Sequence, residues 1–178
     1  TSLDLVQGER KTVRELLYGL MLVSGNDAAS VLAQAVSGTE PAFGRLMTQK
    51  AKLLGMKNTV FKNASGLPEI GHYSTAYDMA LLTRYALKKP NFKKIVRTKF
   101  KEISGPQPGK TRNLKNHNKL LWKYPYATGV KTGYTVTAGH CLVASAMYKG
   151  RTLIAVVLKT SSLYDDCIKL FKYGFNQY

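Results

Sequence analysis

The chain has 178 residues, enough for one compact domain and too few for two of ordinary size, and its apolar share of 44% excludes a disordered basic tail. Its 27 Lys and Arg against 10 Asp and Glu leave a formal charge of +17, which points to an anionic partner or environment without choosing among nucleic acid, lipid head groups and acidic polymers. No run of eighteen apolar residues occurs, so no helical membrane span is expected, and Cys141 and Cys167 have neither the number nor the spacing of a disulfide-held or zinc-held domain. The chain opens TSLDLVQGER without an initiator Met and reads as a piece of something longer.

In chain order the first signal is Thr12-Val-Arg-Glu15, a capping box: the Thr hydroxyl accepts from a free helix N–H and the Glu reaches back. Val13, Leu16, Leu17, Leu20 and Met21 then recur at helical spacing and predict one apolar face. Ser24-Gly25-Asn26 cuts that face, and a second short helix is expected after Asp27 with Ala28, Val31, Leu32 and Ala35 in register. A third helix runs over 41–54, opened by Pro41 and stopped by Gly55. Residues 56–73 are rich in Asn, Gly and Pro and read as short strands and turns. Ser74 or Thr75 caps a fourth helix to about Leu87, and Pro90 blocks its extension. Residues 98–103 alternate like an edge strand, 105–109 form a loop, and 110–118 are basic and polar without a period. Three strands follow at 126–134, 141–148 and 152–159, the last apolar on both faces and therefore expected at the centre of a sheet. An amphipathic helix over 163–175 closes the pattern with Ile168, Leu170, Phe171 and Phe175. Helices first, then an antiparallel sheet with a helix returning across it, predict one α+β domain over 1–178.

Two polar clusters interrupt this pattern, Ser24-Gly25-Asn26 between helices and Lys131-Thr132-Gly133 at a strand end. Singly, a helix kink and a strand-ending turn explain them as well as chemistry does. Together, in this order, they resemble two of the three signatures of the penicillin-binding protein and serine β-lactamase superfamily, Ser-x-Asn and Lys-Thr-Gly. Tyr18-Gly-Leu-Met-Leu-Val-Ser-Gly-Asn-Asp-Ala-Ala29, Gly55-Met-Lys-Asn-Thr59, Ala64-Ser-Gly-Leu67, His72-Tyr-Ser-Thr-Ala-Tyr-Asp-Met-Ala80 and Gly129-Val-Lys-Thr-Gly-Tyr-Thr135 narrow the resemblance. They are similar to the low-molecular-weight D-alanyl-D-alanine carboxypeptidases, over nearly the whole chain from Leu5 to Phe175.

The resemblance implies an antiparallel sheet flanked by helices, β-lactamase/transpeptidase-like and incomplete at its N-terminus. It implies that Ser24 relays a proton toward a leaving amine, that Asn26 holds the substrate amide and the catalytic lysine, and that Lys131 supplies positive potential. Thr132 and Thr135 would hydrogen-bond a substrate carboxylate, Gly133 would let a peptide lie along the strand, and the Tyr134 N–H would be one of two oxyanion donors. The implied substrate is a peptidoglycan stem peptide ending in D-Ala-D-Ala, with β-lactams as acylating analogues, no metal or other cofactor, no nucleic acid, and a location outside the cytoplasmic membrane. The third signature, Ser-x-x-Lys, follows none of the ten serines. The expected partner is therefore an N-terminal segment of the same domain that carries the nucleophile, and the chain alone is expected to be inactive. The arginine that such proteins often carry after the last strand is also missing, leaving Lys159 as its candidate stand-in.

Other residues draw bland readings. His72 is expected to cap or pack, His117 to be solvated in a basic loop, and His140 to stand near Lys131. Trp122 is expected in the core or as a cleft wall, and Asn118 to line the site. Two rival classes remain. The cations between 88 and 115 suit a nucleic-acid-binding domain, although only Phe92 and Phe100 among them can stack on bases. A non-catalytic peptide- or β-lactam-binding module would keep the cleft but has no chemical use for a proton relay.

Overall fold

The computed structural model describes residues 1–177. Helix α1 (Val13–Val23) begins with its capping box, Thr12 accepting from the Glu15 N–H and Glu15 accepting from the Thr12 N–H. The Glu15 carboxylate also takes the Ser104 hydroxyl at 2.6 Å and the Ser104 N–H at 2.9 Å, which ties the helix start to a strand far along the chain. These bonds, with those from Thr12, hold the Glu15 carboxyl down at about 2. The buried face of α1 is Leu16, Tyr18, Gly19 and Leu22, turned from the predicted one, and Val13 is exposed. The cause is Leu3: an added Cβ on Gly19 would lie 2.1 Å from its side chain, so a segment invisible to helix periodicity presses on that side.

Helix α2 (Asn26–Ser37) likewise buries Ala28, Ala29 and Ala33 while Val31 and Ala35 are exposed, because small residues let it close on its neighbours. Helices α3 (Glu40–Leu53) and α4 (Ala76–Ala86) start at Thr39 and Thr75, whose hydroxyls accept from the Ala42 and Asp78 N–H groups. Between them an isolated bridge joins Val60 to Tyr73 where short strands were expected, and buried Asp78 fixes the loop by accepting from the Asn58 N–H at 2.8 Å and the Thr59 hydroxyl at 2.7 Å.

Two elements escape the sequence pattern. Pro90 does not merely end a helix; it opens α5 (Pro90–Arg97) from its first position, where a missing N–H costs nothing. The stretch without period holds β2 (Thr111–Lys115), which pairs antiparallel with β1 (Phe100–Ser104). Only Leu114 of β2 is buried, beside Ile103 of β1, so an alternation of burial had too few apolar residues to show. After the short α6 (Leu120–Lys123), strands β3 (Ala127–Thr135), β4 (Gly139–Tyr148) and β5 (Arg151–Val157) form an antiparallel sheet in that order. Among the described residues β5 pairs with β4 along one edge. Its two apolar faces are both used: α7 (Leu163–Gln177) covers one side of the sheet and α4 contacts β5 from elsewhere on the helical layer.

One core lies between the sheet and α7, with Leu120, Leu142, Ala144, Phe171 and Phe175 closed off from water. Each large side chain there contributes about 1.5–3 kcal/mol of burial. A second core joins Leu3, Leu16, Leu22, Ile95, Ile103 and Leu114. The α+β architecture is as the pattern predicted. No helix among the described residues is long and apolar enough to cross a membrane.

Candidate active site

The junction of α1 and α2 is built on an unusual stop. Ser24 sits in the left-handed region (φ 59°, ψ 43°), and the next N–H, Gly25, returns to the Gly19 carbonyl at 3.2 Å. Glycine normally fills such a position, and a residue with a Cβ there costs about 1 kcal/mol. Asn26 opens α2, its N–H bonded to the Thr1 carbonyl at 3.0 Å. Asp27 clamps the junction from behind, accepting from the N–H groups of Leu3 (2.9 Å) and Leu5 (3.1 Å) and from the Ser2 hydroxyl (2.8 Å). Burial works to raise the Asp27 pKa, but these donors outweigh it and leave the carboxyl below its ordinary value.

Lys131 reaches the junction from β3. Its Nζ donates to Ser24 Oγ and, at 2.7 Å, to the Thr132 carbonyl. It makes no ion pair among the described residues, and burial pulls its pKa down to about 8. The two sequence clusters, 107 residues apart, therefore meet in one contact. They share a cleft of about 540 Å³ whose lining includes Ser24, Asn26, Lys131, Thr132, Gly133, Tyr134 and Thr135, and no Asp or Glu. An added Cβ on Gly133 would meet nothing within 4 Å, so that strand segment faces open space. β3 has β4 on one side and no strand on the other among the described residues, which leaves an edge able to take an extended peptide. A cationic, carboxylate-free cleft beside such an edge suits a peptide that ends in a carboxylate.

Several single-residue expectations need correction. His117 is exposed, as its basic and polar neighbourhood suggested, but it also lines the cleft, where desolvation and then the Lys131 charge lower its pKa. Trp122 is 39% exposed and meets Phe100 edge-on at 5.8 Å, outside the cleft and outside both cores. Asn118 is fully buried, and its Oδ1 accepts from the Leu120 N–H, so it shapes the start of α6 and does not line the cleft. Lys159 lies outside the cleft lining, its side-chain Cγ 3.2 Å from where a Cβ on Gly139 would stand. His140 does line the cleft, its ring 4.5 Å from that of its cross-strand partner Tyr134, and His72 packs edge-on against Phe61. Sequence reasoning missed Leu20, Tyr164 and any cleft role for Ser65-Gly66-Leu67. A turn-rich composition marks that loop, but nothing in it says where the turn lands.

A family model described as D-alanyl-D-alanine carboxypeptidase matches residues 2–162. The chain is 42% identical over 177 residues to the D-alanyl-D-alanine carboxypeptidase DacF of Bacillus subtilis, covering 98% of this chain and 45% of DacF. It is 37% identical to the D-alanyl-D-alanine carboxypeptidase of Streptomyces sp. strain K15, covering 96% of this chain and 63% of that protein. The crystal structure of the Streptomyces K15 DD-transpeptidase superposes with a TM-score of 0.92 at 36% identity, over 99% of this chain and 72% of that one. The chain thus spans about half the length of DacF and less than two thirds of the K15 enzyme.

Proposed function

This chain belongs to the D-alanyl-D-alanine carboxypeptidase family, and on that premise we propose that its cleft is the leaving-group and carboxylate side of a serine carboxypeptidase active site. The observation that carries the reading is the contact of Lys131 Nζ with Ser24 Oγ, a part-buried cation on a hydroxyl beside the edge of β3 that has no strand partner among the described residues. The 178 residues contain no Ser-x-x-Lys, so the nucleophile and its lysine come from residues outside them, within one transpeptidase-like domain.

In the proposed reaction the outside serine attacks the penultimate D-Ala carbonyl of a stem peptide. Its proton passes, by way of the lysine and Ser24, to the amine of the departing D-Ala. Asn26 holds the substrate amide, the Tyr134 N–H is one donor to the oxyanion, and Thr132 and Thr135 bind the terminal carboxylate beside Lys131. Water then releases the acyl group. β-Lactams present the same acyl and carboxylate groups and stop at the acyl-enzyme. A peptidoglycan substrate places the protein outside the cytoplasmic membrane.

The test is the intact mass of the whole protein after exposure to a labelled penicillin. A single covalent adduct is expected, with Lys131→Ala slowing its formation by about 100-fold or more, the loss that follows removal of one transition-state donor. A wild-type protein that binds the penicillin reversibly and never gains mass would replace this reading with that of a non-catalytic binding module.

A further inference from the structure

Away from the cleft, α4 and α5 leave a groove of about 280 Å³ against the sheet. Arg84 enters it from the last turn of α4 and Lys88 from the turn just beyond that helix, and Lys93 and Arg97 enter it one helical turn apart on α5, with Thr128 and Thr152 of the sheet also lining it. No carboxylate lines the groove. Between residues 79 and 101 the chain carries eight Lys and Arg and no Asp or Glu. All four groove cations are exposed, and the two ion pairs among the described residues both fall on Glu9, elsewhere in the molecule. Ordinary surfaces interleave the two signs, because unneutralised like charges repel. Two pairs converging on one concavity are a standing cost unless an anion neutralises them.

We propose that this groove binds a polyol-phosphate chain, a flexible polymer of phosphodiesters joined by short hydroxylated spacers. Four cations on two neighbouring segments, with Lys93 and Arg97 about 6 Å apart along α5, match a ligand whose charge recurs along a strand better than one isolated anion. The two guanidiniums offer planar forks to phosphate oxygens, and the two ammoniums supply point charge. The concavity favours a strand over the flat face of a lipid bilayer. No aromatic side chain lines the groove, so it has no platform on which nucleic-acid bases would stack. Short polyol spacers need neither a bilayer nor stacking. The site stands apart from the cleft and does not depend on whether the cleft is catalytic.

The experiment titrates the intact protein, as its cell makes it, into an end-labelled glycerol-phosphate oligomer and follows anisotropy from 50 to 200 mM salt. Four phosphate contacts give a slope of log K against log salt near −3, a loss of about 50-fold over that range. The quadruple variant R84Q/K88Q/K93Q/R97Q is expected to bind at least about tenfold more weakly at the low end and to lose most of the slope. A control with the same charge change at exposed Lys52, Lys57, Lys110 and Lys172, all to Gln, should stay within about threefold of wild type. Thermal melts verify that both variants fold, and penicillin acylation unchanged in the quadruple variant separates this site from the cleft. Equal weakening of the two variants would overturn the proposal in favour of general charge. Tighter binding of single-stranded DNA or of phosphatidylglycerol vesicles, lost with the same four residues, would overturn it in favour of those partners.

Discussion

Replacing Lys131 with Met should stabilise the resting protein while disabling it. Burial lowers the Lys131 pKa from 10.5 to about 8, and a tenfold change in proton affinity corresponds to about 1.4 kcal/mol, so holding the charge inside the fold costs about 3 kcal/mol at neutral pH. Methionine has a similar length and no charge to desolvate. Against that gain stand the hydrogen bonds to Ser24 and to the Thr132 carbonyl, about 1 kcal/mol each when their partners can turn to water in an open cleft. The net is about 1 kcal/mol, or roughly 2–4 °C in melting temperature for a chain of this size. The pH dependence is the sharper readout. Between pH 8 and 10.5 the unfolded chain still binds a proton that the folded one has released, so wild-type stability rises with pH across that window relative to the variant. Urea melts should show Lys131→Met more stable than wild type by about 1 kcal/mol at pH 7 and less stable by about 2 kcal/mol at pH 10.5, a swing of about 3 kcal/mol. A gap of the same size at both pH values would refute the buried-cation account of the site.

Ser24→Gly should add about 0.5–1 kcal/mol of stability by relieving the left-handed serine, whereas Ser24→Ala should not, and both should slow penicillin acylation about 100-fold; urea melts and stopped-flow labelling check the pair. Gly133→Val should melt within about 2 °C of wild type, since an added Cβ there has no protein atom within 4 Å, yet lose acylation because the valine occupies the peptide's place along β3. Glu15→Gln should weaken the protein at pH 7. The carboxyl is held at about 2 against 4.5 when free, so its contribution is present above pH 4.5 and lost as pH falls toward 2. Melts of the two proteins should therefore converge in acid, and a gap that persisted at pH 2 would be the contrary result.

The sequence alone determined the parts of this protein that local rules govern. Thr12 and Glu15 wrote the start of α1, Thr39 and Thr75 the starts of two more helices, and the β-branched runs the strands. It also supplied the two polar clusters, because Ser24-Gly25-Asn26 breaks an apolar helix at a point where no core needs a polar residue. What it left undecided was everything set by contacts between distant segments. Helix periodicity misplaced the buried face of α1 because Leu3, outside the helix, presses on Gly19. β2 was invisible because a ribbon that buries one residue per strand has no alternation to read. His117 and Tyr164 enter the cleft, and Trp122 and Asn118 stay out of it, through the folding of loops whose composition carries no direction. The meeting of Lys131 with Ser24 belongs to both levels. Each residue announces itself by type and setting, but only the packing of β3 against the α1–α2 junction strips the ammonium of water and lowers its pKa to about 8. Desolvation is a property of the whole fold, and no single stretch of chain encodes it.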